Sequence, residues 1–359
     1  MKRVYVGTER GLEILSQQHG GGWQLDRTVL DQCEISAVTR RAADGRLFVA
    51  TRQAGLFAVD PASGVCVAVG EGVLPAGLRC VAIAPGASDV MFVGCEPAAI
   101  FKSVDGGVTW QECQAVKEMA RARNWRYHIP QIPCHVRQIL VDQRSPLRVY
   151  AAVQIGGVIL SDDGGHTWTD VTDSLDPDVH AIAQDRADPD VLFASTGGGG
   201  PMDGPHPPLP PSGFAFYRSN DAGKTWRAIS ASLAERQHAV PLHLYPKDDL
   251  TLVAAAARGT PPDWRRAEGA DAVLLVSPDR GETWSRVGEG LPASFPIMVD
   301  AIDTEAGVDG RTYIGVGGEG TKVLPPEMRR GSVYYADRLE GPWSKLPRDF
   351  PVVYTVTAG

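Results

Sequence analysis

The chain has 359 residues, 43% of them hydrophobic, with 40 Gly, 27 Pro and a formal net charge of −8. That charge argues against a phosphate backbone as the main target, although it leaves room for a local basic pocket. No apolar run approaches the ~20 residues of a membrane span, so neither nucleic acid nor a membrane is the expected partner.

The N-terminus, MKRVYVGTERGLEIL, alternates like a strand and lacks the apolar stretch and cleavage site of a signal peptide. It yields three strands, RVYVGT, GLEILS and GWQLDRT, that have no inner partner nearby. A recurring inner strand then follows: EISAVTRR, LRCVAIAP, HVRQILVD, DVHAIAQD, AVPLHLYP, PIMVDAID and, at the C-terminus, VVYTVTAG. Behind each of the first six comes a turn with Asp or Pro, a second strand, a third and a short fourth. In one unit these pieces read HVRQILVD, LRVYAAVQ, GGVILS and TWTDVT. Period-2 alternation with Gly, Pro and Asp punctuation is the signature of strands. Seven inner strands and four strands per unit predict an all-β, seven-bladed β-propeller of antiparallel blades, one domain over residues 1–359. The C-terminal strand, with no blade after it, completes the N-terminal blade, residues 352–357 pairing with 4–7. Such closure removes the sheet edge that an open ring would expose.

Between third and fourth strands an octet recurs: SVDGGVTW at 103–110, SDDGGHTW at 161–168, SNDAGKTW at 219–226 and SPDRGETW at 277–284. The shared frame is Ser-x-Asp-x-Gly-x-Thr-Trp, and fixed spacing at tens of residues marks a repeat architecture. Weakened copies stand at SQQHGGGW (16–23) and YADRLEGPW (335–343). Asp closes a turn by accepting backbone N–H groups, Gly supplies a positive φ, and Trp brings apolar surface to bury between blades. One carboxylate per turn is too few for calcium, so the octet reads as a hairpin clamp and His166, at a variable position, as an exposed residue. The six cysteines (Cys33, Cys66, Cys80, Cys95, Cys113, Cys134) form no Cys-x-x-Cys pair and read as reduced core residues of a cytoplasmic protein.

The octet resembles the Asp-box, or BNR repeat, of sialidases, xyloglucan-hydrolysing enzymes, sortilin-type receptors and photosystem assembly factors of the Ycf and HCF type. The resemblance implies the propeller and says little about activity, because unrelated functions share the scaffold. A sialidase would carry Phe/Tyr-Arg-Ile-Pro; the nearest string, YHIP at 127–130, has His in place of Arg. No sialidase catalytic residue transfers.

Four long segments, 114–134, 196–213, 258–271 and 317–331, fall on the face opposite the octets, and loops of such length concentrated on one face favour function. The proline-rich stretch 205–211 is a stiff lid or a docking loop. Inner strands enter the central channel from that face. Aligned on their turns, they bring Arg79, Arg137 and His180 to one level, with His135 and His238 about two residues earlier on the same side. Arg52, Glu96, Gln154 and Arg258 end second strands near this rim, and Trp125, Arg126, Tyr127 and His128 are positioned to fold over it. His135, His180 and His238 are the expected catalytic residues, as acid–base groups or as ligands of zinc, iron or copper with one open position. Arg79, Arg137, Arg258, Arg52, Glu96, Gln154, Tyr127 and His128 are the expected substrate contacts, the arginines as bidentate partners of carboxylate or phosphate. The expected function is a soluble propeller that binds an anionic or polyhydroxylated small molecule at the channel mouth, with hydrolysis or lyase chemistry as its catalytic form. The alternative is a non-catalytic scaffold with a protein partner.

Overall fold

A computed structural model describes residues 2–125, 133–198, 214–233, 235–248, 250–305, 310–318 and 329–359. Among them are seven four-stranded antiparallel sheets arranged as a closed propeller. Blade 1 joins the C-terminal strand Val353–Ala358 to Arg3–Thr8, Gly11–Gln17 and Trp23–Val29. Its register pairs Val4 with Ala358 and Val6 with Val356, one residue further along than the alternation suggested. Blades 2 to 7 begin with the inner strands Ile35–Arg40, Leu78–Ala84, His135–Val141, Val179–Gln184, Arg236–Leu244 and Val299–Thr304. Second strands are buried along nearly their whole length, as in Leu47–Thr51 and Val149–Gln154, because both faces pack on neighbouring blades. They therefore read as continuous apolar runs rather than alternating ones.

The octets are hairpin clamps. In blade 4, Ser161 Oγ donates to Asp163 Oδ1 at 2.8 Å and accepts from Gly165 N at 2.7 Å. Asp163 also accepts from Thr167 N at 2.9 Å and from the Thr167 hydroxyl at 2.6 Å. The same bonds recur around Asp105, Asp221 and Asp279. The fixed Gly is needed because φ there is 87–96° in all four turns. Trp226 and Trp284 reach back to the preceding blade, their Nε1 donating to Val171 O and Ile229 O at 2.9 Å, and Trp284 stacks on Phe216 with centroids 4.6 Å apart; Trp110 and Trp168 instead donate to Gly107 O and Gly165 O of their own turns. His166 is exposed. In blade 2, which has no octet, Asp60 Oδ1 makes a smaller turn, accepting from Ala62 N at 2.8 Å and Ser63 N at 3.2 Å.

The insertion before blade 4 contains a feature that the strand pattern did not foretell, an α-helix at Gln114–Ala122 that seats Val116 and Met119 on the apolar core between blades 3 and 4. All six cysteines are free thiols; burial pushes Cys80 up to about 12 and Cys113 and Cys134 to about 11. Among the described residues no helix is long and apolar enough to cross a membrane.

Two outcomes follow from this packing. Removing residues 350–359 takes away Phe350, Val353, Tyr354 and Val356, all buried here, and uncovers the edge of Arg3–Thr8. At ~1.5–3 kcal/mol per buried side chain it should cost roughly 5 kcal/mol or more and show as a large fall in the thermal midpoint; a truncated chain that melts with the full one contradicts the closure. Asp163→Ala, measured by chemical denaturation, should lose about 1–2 kcal/mol through unsatisfied turn amides. Hydrogen bonds from the Thr109 hydroxyl and amide and from Ser103 hold the Asp105 carboxyl at about 2, and the equivalent bonds lower Asp163 too. This contribution is therefore complete above the unfolded value of ~3.9 and fades as pH falls through 4 towards 2.

Candidate functional site

Every inner strand breaks register at least once near the channel mouth. Pairing skips between Ile35 and Ala37, Leu78 and Cys80, Val136 and Gln138, Val179 and Ala181, and Val299 and Ala301. Blade 6 skips twice, the second time between Ala239 and Leu242. In blade 1, Gly7 pairs with Thr355 and Thr8 with Val353, leaving Tyr354 outside the ladder. Apart from Gln237, at the first skip of blade 6, the extra residues near the mouth are Ser36, Arg79, Arg137, His180, Val240 with Pro241, Asp300 and Tyr354. A β-bulge re-aims the side chain it carries, and all of these line one cavity of about 310 Å³ at the head of the channel.

The bulges also tie the ring together. A bulge takes a carbonyl out of its own ladder, and a buried carbonyl needs a donor. Ser36 Oγ donates to Leu78 O at 2.7 Å, and His180 Nδ1 donates to Ala239 O at 2.6 Å. Ser195 Oγ reaches Val240 O at 2.8 Å, and Cys80 Sγ approaches Val136 O at 3.6 Å. Each bond crosses to the next blade.

The cationic side is built on blades 2 to 4. Arg79, buried, has Nη1 3.0 Å from Glu96 Oε2 and Nη2 2.5 Å from His135 Nε2. His135 donates from Nδ1 to Pro133 O at 3.3 Å, which leaves Nε2 as the acceptor for Arg79. Arg137 Nη1 donates to Gln154 Oε1 at 3.2 Å. Arg52 lies over the Tyr354 ring, 4.8 Å from its centroid, with Nε 3.6 Å from Glu34 Oε2. Glu96 and Gln154 thus hold arginines in place from the ends of second strands.

A second, deeper constellation lies between blades 5 and 6. His180 Nε2 is 3.3 Å from Asp178 Oδ1, the His180 and His238 rings meet edge to face at 4.9 Å, and His238 meets Trp264 at 5.2 Å. His238 donates from Nδ1 to Gly197 O at 3.1 Å. Burial alone would raise the Asp178 carboxyl, but His180, His238 and Arg137 hold it at about 2. Neighbouring Asp176 is pushed up to about 7 by burial and by the Asp178 charge. Burial, with His180 beside it, lowers His238 to about 3.

The histidines expected to form one triad are therefore divided. His135 turns to Arg79 and Glu96, while His180 and His238 turn to each other and to Asp178. Among the described residues no three His, Cys, Asp or Glu side chains are arranged to hold a metal ion. The physical reason is the bulge: simple alternation puts His135 and His238 on the side of Arg137 and His180, but Arg137 and His180 are themselves the extra residues, so period two fails there. Arg258 is also apart from the cavity. It is half exposed, with Nε 3.6 Å from Glu235 Oε2, because the blade 6 strand Leu252–Arg258 runs on past the rim. Trp125 packs beside Gly156 and the core of blades 3 and 4. Arg126, Tyr127 and His128, and the whole proline-rich stretch 205–211, lie outside the described residues.

Sequence reasoning passed over Ser36, Asp300 and Tyr354. The signal was there: Ile35-Ser36-Ala37, Leu78-Arg79-Cys80, Val136-Arg137-Gln138, Val179-His180-Ala181, Val299-Asp300-Ala301 and Val353-Tyr354-Thr355 share one frame, with an apolar residue before the bulge.

Comparison with known proteins is consistent with this architecture. The family described as sortilin, neurotensin receptor 3 (Sortilin-Vps10) matches residues 156–295. No curated protein matches the sequence. Among solved structures, an ancestral GH74 enzyme is similar with a TM-score of 0.60 at 15% identity, over 90% of this chain and 38% of that one. The GH74 xyloglucanase from Xanthomonas campestris gives 0.56 at 14%, over 87% and 45%. YCF48 bound to a D1 peptide gives 0.53 at 15%, over 89% and 86%. The chain thus spans less than half the length of these GH74 proteins and most of YCF48. At such identities the likeness is one of fold.

The lowered His238 has a measurable consequence. Its folded value lies below the unfolded ~6.5, so its contribution to stability is full above pH 6.5 and declines as pH falls towards 3. The His238 ring resonances should not titrate between pH 8 and 5 in NMR spectra of the native protein. A titration midpoint near 6.5 contradicts the burial assigned to this ring.

Proposed function

We propose that this propeller binds a small organic anion, carboxylate or phosphate in character, in the cavity at the channel mouth. The observation that carries the reading is the ring of bulges, which brings Arg79 and Arg137 with His180 into one 310 Å³ space and places Arg52 on the same wall. Guanidinium groups held by second-strand partners are already oriented, so little rotamer entropy is lost when a carboxylate arrives. The cavity size falls at the lower end of small-molecule pockets, ~300–1,000 Å³. His180 is held in the cavity wall from both ring nitrogens, Nδ1 on Ala239 O and Nε2 beside Asp178, so binding is the claim.

The scaffold reading retains one supporting observation. YCF48, similar over most of its length, is a propeller carrying a peptide. On that reading the same arginines would take an acidic group of a protein partner.

The test is a thermal-shift and calorimetric screen with inorganic phosphate, gluconate and glucuronate against wild type, Arg137→Ala and Arg52→Ala. At least one anion should bind wild type saturably, and Arg137→Ala should weaken it about tenfold or more, the worth of a charged hydrogen bond of ~1.5–3 kcal/mol. Affinity should fall as salt rises. Binding that survives both substitutions, or none at all, overturns the small-anion reading.

A further inference from the structure

Among the described residues seven large apolar side chains are exposed: Val65, Val67, Val73, Val104, Val108, Leu147 and Leu250. The first five come from one corner of the ring, the outer edge of blade 2 and the octet turn of blade 3. The fourth strand of blade 2, Cys66–Val69, is the last of its sheet. Asp60 N donates to Val65 O at 3.0 Å, so residues 65, 67 and 69 bond inward to the third strand. The N–H and C=O groups of Cys66 and Ala68 therefore point outward along the edge. The side chains alternate as well. Cys66 turns to the core shared with blade 1, beside Cys33, and Val69 turns to blade 3, where Gly107 lies against it. Val65 and Val67, on the face of Val69, stay 58% and 57% exposed because the fourth strand of blade 3, Gln111–Glu112, is too short to cover them. Gly107 belongs to the octet, so Val104 and Val108 flank this contact. In blades 4 to 6 the same two octet positions carry Asp162 and His166, Asn220 and Lys224, and Pro278 and Glu282. Only blade 3, whose octet adjoins the bare edge, has valine at both.

An uncharged, apolar strand edge of this kind is a template for another strand. We infer that the strand comes from a second copy of this chain, bound edge to edge about a twofold axis at Val67. Residues 64–70, GVCVAVG, read nearly the same in both directions from Val67. An isologous contact requires such self-complementarity. Antiparallel pairing in this register sets Val67 against its own copy, Cys66 against Ala68 and Val65 against Val69. The outward groups of Cys66 and Ala68 then form the hydrogen-bonded pairs, as the inward register demands. Charge favours the same register. Two copies of net charge −8 repel unless they meet where charge is absent, and residues 61–70 carry none. The nearest charges, Asp60 and Glu71, fall opposite Leu74 and Ser63. The outer strand of blade 1, Trp23–Val29, fails the same test, because its central Asp26 would face its own copy. The contact lies on the outer rim of the ring, away from the channel mouth, and is independent of the anion site proposed above.

The experiment is sedimentation velocity under reducing conditions on wild type, Val67→Lys, Val67→Glu and an equimolar mixture of the two variants, with thermal melting as the check on folding. Wild type should dimerise reversibly between about 1 and 100 µM, the affinity of a contact at the small end of specific interfaces. Each variant puts like charges against each other at the axis and should weaken the dimer about tenfold or more while melting as wild type does. The mixture puts opposite charges at the same place and should recover the dimer that either variant alone has lost. Wild type that stays monomeric throughout this range overturns the second copy as the occupant, including the outcome in which the edge takes an unrelated apolar peptide instead. A dimer that both variants leave intact overturns it as well, since the contact then lies elsewhere. A dimer lost in each variant and not recovered on mixing overturns the pairing about Val67.

Discussion

A bulge in a buried strand releases a carbonyl, and a released carbonyl has to find a donor. In this propeller every inner strand carries such a break near its mouth, and on blades 3 and 6 the neighbouring blade supplies the donor. Ser36 serves Leu78 O, His180 serves Ala239 O and Ser195 serves Val240 O. The same irregularity that joins the blades turns one side chain per blade into the channel. Ring cohesion and site assembly are therefore a single device, and residues such as Ser36 and His180 belong to both.

The opposite face has a different economy. There four octets each close a hairpin with one carboxylate, one serine and one threonine, and the tryptophans of blades 5 and 6 bond to the blade before them. The repeated residues are consumed by this structural work. What varies between blades, the bulged residue and the end of the second strand, is what gives the channel mouth its chemistry. Arginine on blades 3 and 4, histidine on blade 5, aspartate on blade 7 and tyrosine on blade 1 convert a sevenfold scaffold into an asymmetric cavity.

Much of this was legible in the sequence because repeats count themselves. Four octets at fixed spacing and seven inner strands specify the blades and their closure to within a residue. Counting from the turns also places Arg79, Arg137 and His180 at one level. The remainder depended on a local break in period that composition does not announce. Alternation projected His135 and His238 beside His180, whereas the bulges send His135 to the Arg79 guanidinium and His238 under the blade 6 insertion beside Trp264. The helix at Gln114–Ala122 was hidden in a segment recognisable from sequence only as long and charged. Ser36, Asp300 and Tyr354 are marked in the sequence only by the frame that repeats around them, since serine, aspartate and tyrosine at a strand end carry no signal of their own.

The proposed anion site draws on Arg79 and Arg137 at one end of the channel in a protein of net charge −8. The most direct test is anomalous diffraction from crystals soaked in bromide. The account predicts the strongest bromide peak inside the channel mouth, within contact distance of the Arg79 and Arg137 guanidinium groups. Bromide confined to the outer surface of the blades, with none between these two arginines, would contradict it.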